Sequence, residues 1–204
     1  MRRRHLEARR ISQRNHAMPT SLSKKLVILD RDGVINVDSD AFVKSPDEWV
    51  ALPGSLEAIA RLNHAGYRVV VATNQSGIGR GLFDMATLNA MHLKMHRAAA
   101  AVGGRIDAVF FCPHTADDHC DCRKPQPGMM KLIAERFEID PEDTPVVGDS
   151  LRDLLAGAAL GFRPHLVLTG KGKKTLAAGG LPEGTLVHDD LRAFALDFLS
   201  EEHE

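Results

Sequence analysis

The sequence predicts an α/β fold with a doubly wound, Rossmann-like parallel sheet, because short apolar runs alternate with stretches of helical periodicity. Its 204 residues are 44% hydrophobic and 26% charged, which is enough apolar content to form one buried core. Parallel strands need helical crossovers, which cover both faces of the sheet. We therefore expect one domain at residues 24–204 without a separate cap domain, and a ligand site beyond the carboxyl ends of the strands.

The amino-terminal half alternates two strands with two helices. An apolar run predicts a strand at 25–29 (KLVIL), and residues 54–64 have helical spacing that ends before Gly66, a common residue after helices. The run at 67–72 (YRVVVA) predicts a second strand. Asp84 is a suitable N-cap for a long helix. The apolar stripe of that helix comprises Met85, Leu88, Met91, Met95, Ala98, Ala99 and Val102.

The carboxyl-terminal half continues the alternation. After a third strand at 108–111, Pro127 suits the first turn of a helix that runs to about residue 138. A fourth strand is predicted at 145–147, further strands at 165–168 and 185–187, and a last helix at 191–199. The helix predicted at 151–160 has four apolar residues on one side, namely Leu151, Leu154, Leu155 and Ala158. The basic run Lys171, Lys173 and Lys174 is interpreted as a solvated loop.

Charge and cysteine content restrict the class of protein. The net charge is −1, but residues 1–17 hold +5, so we interpret residues 1–23 as a basic, disordered tail. Aromatic residues are only 5% and do not interleave with these arginines, so nucleic acid is not the expected partner. No apolar run approaches the roughly 18 residues of a membrane helix, so no membrane partner is expected. Three cysteines within eleven residues suggest a metal site in a reducing compartment, the cytoplasm.

Two carboxylates follow the first predicted strand in the loop Asp30-Arg31-Asp32-Gly33. Carboxylates this close repel one another unless a cation or a proton lies between them. Mg²⁺ prefers such oxygen ligands, and Gly33 permits the sharp turn that presents both side chains. The alternative is a solvated turn, because Asp and Gly are common turn residues.

Further polar residues follow other strands and are expected at the same edge of the sheet. Thr73 and Asn74 supply a hydroxyl and an amide that suit phosphate oxygens, and Lys124 supplies a compact positive charge. Asp149 adds a third carboxylate after the fourth strand. Asp153, four residues later, is interpreted either as a supporting acid behind the site or as a surface or capping acid.

In this order, the acid pair, hydroxyl, lysine and acid resemble the four motifs of the haloacid dehalogenase superfamily of phosphatases, over residues 25–170. The resemblance implies that Asp30 is the nucleophile, which carries an aspartyl-phosphate intermediate, and that Asp32 is the general acid and base. It implies Mg²⁺ held by Asp30, the backbone carbonyl of Asp32 and Asp149. It also implies that Thr73 and Lys124 stabilise charge on the transferring group.

The cysteines form a Cys-x-His arm, Cys112 and His114, and a Cys-x-Cys arm, Cys120 and Cys122. Four such ligands in eleven residues match a closed tetrahedral Zn²⁺ site, which predicts a structural zinc in a loop insertion. His119 is the alternative histidine ligand, and three free cysteines are the alternative to a metal site. Fixing this loop would also fix the two cations that follow Cys122.

Within the superfamily, a zinc loop leading into Cys-Arg-Lys-Pro (122–125) resembles a narrow group of heptose-bisphosphate and histidinol-phosphate phosphatases. Segments 30–38 and 73–81 are more similar to the former, whereas the five-residue gap between His114 and Cys120 resembles the latter. The resemblance implies hydrolysis of the C7 phosphate of D-glycero-D-manno-heptose 1,7-bisphosphate, in nucleotide-heptose and lipopolysaccharide core precursor synthesis. The alternatives are a histidinol-phosphate phosphatase of histidine biosynthesis and a catalytically inactive, zinc-stabilised binding module.

The same resemblance implies which residues contact the substrate: Asp38, Ser39, Asp40, Ala41, Thr73, Asn74, Gln75, Ser76, Arg123, Lys124 and Ser150. The planar guanidinium of Arg123 suits a second phosphate. The expected partner is a small-molecule sugar bisphosphate, and the expected state is a monomer. His92 and His96 lie four apart on the predicted long helix and are interpreted as a plain helix face rather than a metal pair.

Overall fold

The computed structural model describes residues 25–201, so the predicted tail at 1–23 lies outside the described residues. Six strands form one parallel sheet with the order β3-β2-β1-β4-β5-β6. The strands are β1 (Leu26–Leu29), β2 (Arg68–Asn74), β3 (Ala108–Cys112), β4 (Pro145–Gly148), β5 (Arg163–Val167) and β6 (Leu186–His188). The predicted parallel α/β fold is confirmed, and every predicted strand is present with ends that shift by a few residues at most.

Helices cover both faces of the sheet. They are α1 (Ser55–His64), α2 (Ser76–Gly79), α3 (Met85–Ala101), α4 (Gly128–Phe137), α5 (Leu151–Ala158), α6 (Gly172–Ala178) and α7 (Leu191–Glu201). Successive residues of β1 point to opposite faces. Val27 and Leu29 pack with α1, α3 and α7, whereas Leu26 and Ile28 pack with α4 and α5. The central strand is therefore buried on both sides, which explains its uninterrupted apolar sequence.

The long helix α3 begins as predicted but is only partly buried. Asp84 caps it by accepting a hydrogen bond from the backbone N–H of Thr87 at 2.8 Å. The two ends of the apolar stripe stay exposed, because Met85 and Val102 are 42% and 39% exposed. Helical spacing identifies one face of a helix but not how far the neighbouring elements extend along it.

The region after β4 departs from the sequence prediction in two further places. Leu155 is 40% exposed on α5, so it does not share the buried side with Leu154. The basic run 171–174 is not a plain loop, because Lys171 precedes α6 and both following lysines lie within that helix. Between β1 and α1, and between β2 and α3, the described chain contains only loops and the short helix α2, and no separate cap domain. None of the helices in residues 25–201 is long and apolar enough to span a membrane.

A buried histidine pair joins β5 and β6 on the face covered by α7. The Nδ1 atom of His165 lies 3.1 Å from the Nε2 atom of His188, and the rings of Phe194 and Phe198 pack on the edge of the His165 ring. Burial, and then the electrostatic interaction with neighbouring His188, lowers the pKa of His165 to about 3. His165 is therefore neutral in the folded protein at neutral pH.

Because His165 is buried and neutral, we predict that the folded protein loses stability in acid. In the unfolded chain, His165 regains its ordinary pKa of about 6.5, so below that pH the unfolded state binds more protons than the folded state. Between pH 7 and pH 5, His165 is expected to lower the free energy of unfolding by about 2 kcal/mol. Urea unfolding at pH 7 and at pH 5 measures the free energy of unfolding of the wild type and of His165→Asn. The difference in free energy of unfolding between the two proteins should be about 2 kcal/mol less favourable to the wild type at pH 5 than at pH 7.

The exposed His64 on α1 offers the matched control, because His64→Gln changes no buried group. If the difference in free energy of unfolding between the wild type and His165→Asn is the same at both pH values, the assignment of a neutral, buried His165 is contradicted.

Candidate active site

A cavity of about 230 Å³ opens at the carboxyl ends of β1 and β2. Ten of the predicted site residues line it: Asp30, Asp32, Asp38, Ser39, Asp40, Thr73, Asn74, Gln75, Ser76 and Arg123. Six others line it without having been predicted there: Arg31, Phe42, Val43, Arg80, Arg152 and Lys171. Residues from five separate chain segments, at 30–43, 73–80, 123, 152 and 171, therefore meet around one polar cavity, as expected for the carboxyl edge of a parallel sheet.

Three residues predicted to contact the substrate lie outside the lining of this cavity. Lys124 is buried beneath it, with its side chain 1% exposed. Ala41 is exposed in the loop above, where its backbone N–H bonds the hydroxyl of Ser39. Ser150 is the N-cap of α5 and exchanges hydrogen bonds with Asp153 in a capping box. In this structure, therefore, Ala41 and Ser150 shape the neighbouring loop and helix.

Lys124 joins two buried carboxylates under the cavity. Its Nζ atom lies 3.0 Å from Oδ1 of Asp30 and 2.7 Å from Oδ1 of Asp153, and it donates to the carbonyl of Ala72 at 2.6 Å. Burial lowers the pKa of Lys124, but the two carboxylates outweigh burial and raise it, so this lysine stays charged. Asp153 is itself buried, so its interpretation as a surface acid is wrong, whereas its supporting and capping interpretations agree with these contacts.

Asn74 fixes the backbone of Lys124 to the end of β2. Its side-chain Nδ2 donates to the Lys124 carbonyl at 3.0 Å, and its Oδ1 accepts from the Lys124 N–H at 3.1 Å. The side-chain amide predicted to meet phosphate is therefore engaged with the chain. Its main observable role is to hold the backbone of Lys124 in register with Thr73.

Asp30 has one carboxylate oxygen engaged and one available. Oδ1 accepts from the backbone N–H of Arg31 at 2.8 Å and pairs with Lys124, while no donor within residues 25–201 bonds Oδ2. Burial, and then repulsion from Asp153, outweighs Lys124 and raises the pKa of Asp30 to about 6. An added cation near this carboxylate would oppose both effects and favour the ionised form.

The residues around Asp149 fit a divalent cation. Carboxylate oxygens of Asp30, Asp149 and Asp153 lie within 4.8 Å of one another. Oδ2 of Asp149 accepts from the backbone N–H of Lys171 at 2.7 Å, whereas its buried Oδ1 has no hydrogen-bond partner among the described residues. Burial and the other two acids raise the pKa of Asp149 to about 8. Three clustered acids with a buried, unpaired oxygen are the donor set that Mg²⁺ prefers.

Two glycines allow the chain to pass close to Asp149. A Cβ atom at either Gly33 or Gly170 would overlap with the carboxylate of Asp149, and both residues have positive φ angles, of 85° and 52°. Any side chain at these positions would push the carboxylate aside. The loops after β1 and β5 therefore converge on the same acid.

The Cys112, His114, Cys120 and Cys122 side chains converge as the sequence predicts. Five of the distances between their ligand atoms are 3.3–3.6 Å. Zn–S bonds of 2.3 Å in a tetrahedron require edges of about 3.8 Å, close to this spacing. Burial raises the pKa of Cys112 to about 12, so a bound cation is needed to keep it as a thiolate. His119 is outside the cluster and has a left-handed backbone, so His114 is the better candidate ligand.

The cysteine cluster is connected to the cavity by short contacts. The guanidinium of Arg123 donates to the backbone carbonyl of His114 at 3.3 Å. The N–H groups of Gln75 and Gly79 donate to the carbonyls of Cys112 and Pro113, at 2.7 and 3.0 Å. A disturbance at the cluster would therefore reach both Arg123 and the α2 segment that lines the cavity.

Sequence reasoning missed several cations of the cavity, although signals for two of them exist. Lys171 follows β5, and the rule that places Asp149 at the sheet edge also places Lys171 there. The Nζ atom of Lys171 lies 2.9 Å from Oδ2 of Asp38. This ion pair connects the loop after β5 to the loop after β1. Arg31 stands between the two predicted acids. For Arg80 and Arg152, neither spacing nor residue type distinguishes them from surface arginines.

The chain is similar to known proteins over most of its length. A family model described as HAD-hydrolase-like matches residues 121–194. A D-glycero-beta-D-manno-heptose-1,7-bisphosphate 7-phosphatase from Bordetella bronchiseptica is 66% identical over 177 residues, covering 87% of this chain and 99% of that protein. The crystal structure of a B. bronchiseptica D,D-heptose 1,7-bisphosphate phosphatase with magnesium and phosphate superposes with a TM-score of 0.86 at 66% identity, with the same coverage. A Burkholderia thailandensis D,D-heptose 1,7-bisphosphate phosphatase structure is 85% identical, with a TM-score of 0.72 over 87% of this chain and 99% of that one.

Proposed function

Because the chain belongs to the HAD-like hydrolases, among the heptose-1,7-bisphosphate 7-phosphatases, we propose that it hydrolyses the C7 phosphate of D-glycero-β-D-manno-heptose 1,7-bisphosphate. The products are heptose 1-phosphate and inorganic phosphate. The observation that carries this proposal is the 66% identity to a phosphatase of that name over nearly its whole length. The meeting of Asp30, Lys124 and Asp149 at one site gives the chemistry a physical basis.

In the first half-reaction, the available Oδ2 of Asp30 attacks phosphorus, and the bond between phosphorus and the C7 oxygen breaks. Burial raises the pKa of Asp32, but Arg31 and the hydrogen bonds from Asn36 and Gln75 outweigh burial and lower it, so Asp32 takes up a proton together with the substrate phosphate. It then gives that proton to the C7 oxygen, so the sugar leaves as an alcohol. Lys124 and the Thr73 hydroxyl stabilise negative charge on the phosphoryl group. In the second half-reaction, Asp32 takes a proton from water, whose oxygen attacks phosphorus and releases phosphate from Asp30.

We assign the magnesium ligands to Asp30, Asp149 and the backbone carbonyl of Asp32, with Asp153 bound to Lys124 behind them. When bound, Mg²⁺ reduces the repulsion between the Asp30 carboxylate and the phosphate. The magnesium in the related Bordetella structure supports this assignment. For zinc, we propose a structural role, because four protein ligands leave no open position for water.

A second phosphate on the substrate fits the charge of the cavity. Among the described residues, no carboxylate lies within ion-pair distance of Arg80 or Arg123, and both line the cavity. Histidinol phosphate would instead bring a protonated amine to this wall, where two unpaired arginines repel it. We propose Arg123 as the residue that binds the distal phosphate, since its planar fork suits two phosphate oxygens.

The proposal is tested by measuring phosphate release with Mg²⁺ from heptose 1,7-bisphosphate, heptose 7-phosphate and histidinol phosphate. The bisphosphate is expected to have a kcat/KM at least about tenfold above that of the other two, because only it presents a second phosphate to the arginines. Phosphorus NMR of the product should identify heptose 1-phosphate. A preference for histidinol phosphate would overturn the substrate assignment while leaving the phosphatase chemistry intact.

Arg123→Ala tests the distal contact separately. It is expected to lower kcat/KM for the bisphosphate by about tenfold and to leave heptose 7-phosphate nearly unchanged. Equal losses on both substrates would place Arg123 at the reacting phosphate instead.

We propose, finally, that the enzyme works in the cytoplasm on a small-molecule sugar bisphosphate that is a precursor of nucleotide-activated heptose. The names of the relatives support the sugar and its β anomer.

A further inference from the structure

The Asp32 carboxylate lies in a buried hydrogen-bond cluster that the reaction described above does not explain. We call it the Asp32 cluster, and it comprises Asp32, Arg31, Asn36, Gln75 and His92. Arg31 is 1% exposed, and Asn36 and Gln75 are also buried. The Asp32 side chain retains 19% exposure and lines the cavity. The acid therefore faces the cavity, which Arg31 and Gln75 also line, whereas Asn36 and His92 lie outside its lining.

Both carboxylate oxygens of Asp32 are fixed by side-chain donors. Arg31 reaches Oδ1 through Nε at 3.2 Å and through a terminal nitrogen at 3.0 Å, and the same nitrogen lies 3.0 Å from Oδ2. Asn36 donates to Oδ1 and Gln75 donates to Oδ2, each at 2.9 Å. A planar guanidinium and two amides thus define the carboxylate plane, whereas a lone ion pair would leave it free to rotate.

Arg31 is itself held from behind. Its terminal nitrogens contact the Oε1 atom of Gln75 at 3.1 Å and the Nε2 atom of His92 at 3.5 Å. Arginine carries only donors, so Nε2 of His92 must be the acceptor and the imidazole must be neutral. Burial, and then the charge of Arg31, lowers the pKa of His92 to about 4, in agreement with a neutral ring. The ring also packs edge-on against Phe111 of β3.

A general acid must meet the leaving oxygen within hydrogen-bond distance, so a rotated carboxylate loses most of its effect. The first residue of the motif, Asp30, is fixed by Lys124 and the backbone, but Asp32 depends on side chains alone for its orientation. We propose that Arg31, held in place by His92, is a positioning residue that directs Asp32 toward the leaving oxygen of the phosphate ester. This inference rests on the proposed phosphatase function and on the role of Asp32 in it.

Two esters with different leaving groups isolate this role. A primary alkyl phosphate expels an alkoxide that needs a proton, whereas p-nitrophenyl phosphate expels a phenolate that does not. The quantity to compare is kcat/KM, because it covers the steps up to departure of the leaving group and excludes hydrolysis of the aspartyl phosphate. Both esters are measured on one enzyme preparation, so a partly unfolded variant shows the same fold-loss of kcat/KM on both esters.

The variants are Arg31→Lys, which keeps the charge but loses the planar fork, and His92→Leu, which removes the acceptor at similar size. His92→Gln restores an acceptor and is the matched control. Arg31→Lys is expected to lower kcat/KM for the alkyl ester by about 100-fold and His92→Leu by about tenfold, with less than about threefold loss on the aryl ester. His92→Gln should recover most of the loss.

Asp32→Asn serves as the reference and separates the two hypotheses. If Asp32→Asn loses equally on both esters, the proposed acid role of Asp32 is wrong, and the positioning inference is overturned with it. A second outcome is that Asp32→Asn lowers kcat/KM for the alkyl ester selectively, whereas Arg31→Lys and His92→Leu lower it equally for both esters or not at all. In that case only the positioning inference is overturned. A gain in alkyl-ester hydrolysis in either variant would also overturn it, because the cluster would then hold Asp32 away from the leaving oxygen.

Discussion

Replacing Asp30 with Asn is expected to lower kcat for the heptose bisphosphate by at least about 10⁴-fold. An amide oxygen is a far weaker nucleophile than a carboxylate, so the first half-reaction has no substitute for Oδ2 of Asp30. The variant should also fail to form an acid-precipitable phosphoenzyme when rapidly quenched with labelled substrate, whereas the wild type should form one. Phosphate release under single-turnover conditions measures the same loss directly.

The Asp30→Asn variant is expected to fold, because Lys124 keeps its ion pair with Asp153 at 2.7 Å and its bond to the carbonyl of Ala72. Circular dichroism and thermal unfolding would verify this. Asp143→Asn, on the exposed 3-10 helix at Pro141–Asp143, is the control for removing an acid elsewhere. Ordinary turnover by Asp30→Asn would remove Asp30 as the nucleophile and would require another phosphoryl acceptor.

The second large effect is expected at the cysteine cluster. Cys120→Ser should reduce the zinc content, lower the melting temperature and decrease kcat/KM for the bisphosphate by about 10- to 100-fold. Structural zinc contributes roughly 10–16 kcal/mol in small peptides, and here it would order a loop that leads directly to Arg123 and Lys124. Cys120 is only partly buried, so the substitution leaves the apolar core under β3 largely unchanged. Metal analysis, thermal unfolding and steady-state kinetics measure the three effects.

His119→Ala is the matched control for this prediction, because His119 adjoins Cys120 but lies outside the cluster. It should keep its zinc and its activity. Loss of zinc from His119→Ala, with retention in His114→Ala, would reverse the ligand assignment. A Cys120→Ser variant that loses zinc but keeps full activity would show that the bonds from Asn74 to Lys124 hold the lysine without the metal.

The sequence was most informative at the ends of strands. Asp30, Thr73 and Asp149 each follow or end an apolar run, and the topology of a parallel sheet then requires them to share one edge. The cysteine cluster was also predictable, because alternate residues on two short arms point the same way. In both cases a local pattern combines with a geometric rule that holds for any sequence of that fold.

Other features depend on contacts that no local pattern encodes. The bonds from Asn74 to Lys124 join residues 50 positions apart. Arg31 appeared as a charge in a loop, and only packing against His92 and Gln75 makes it a buried donor. Leu155 belongs to the apolar side of its helix in the sequence but is exposed in the structure, because periodicity describes one helix alone, whereas burial depends on what covers that helix.

The close approach of Gly33 and Gly170 has a consequence for attempts to redesign this enzyme toward other esters. Because neither position has room for a methyl group, the crossing of these two loops must be kept constant in any library of variants. Diversity can be placed instead on the rim that contains Ser39, Phe42 and Arg80, whose side chains border the opening without contacting Asp149. Selectivity could then be altered there while the machinery for phosphoryl transfer stays intact.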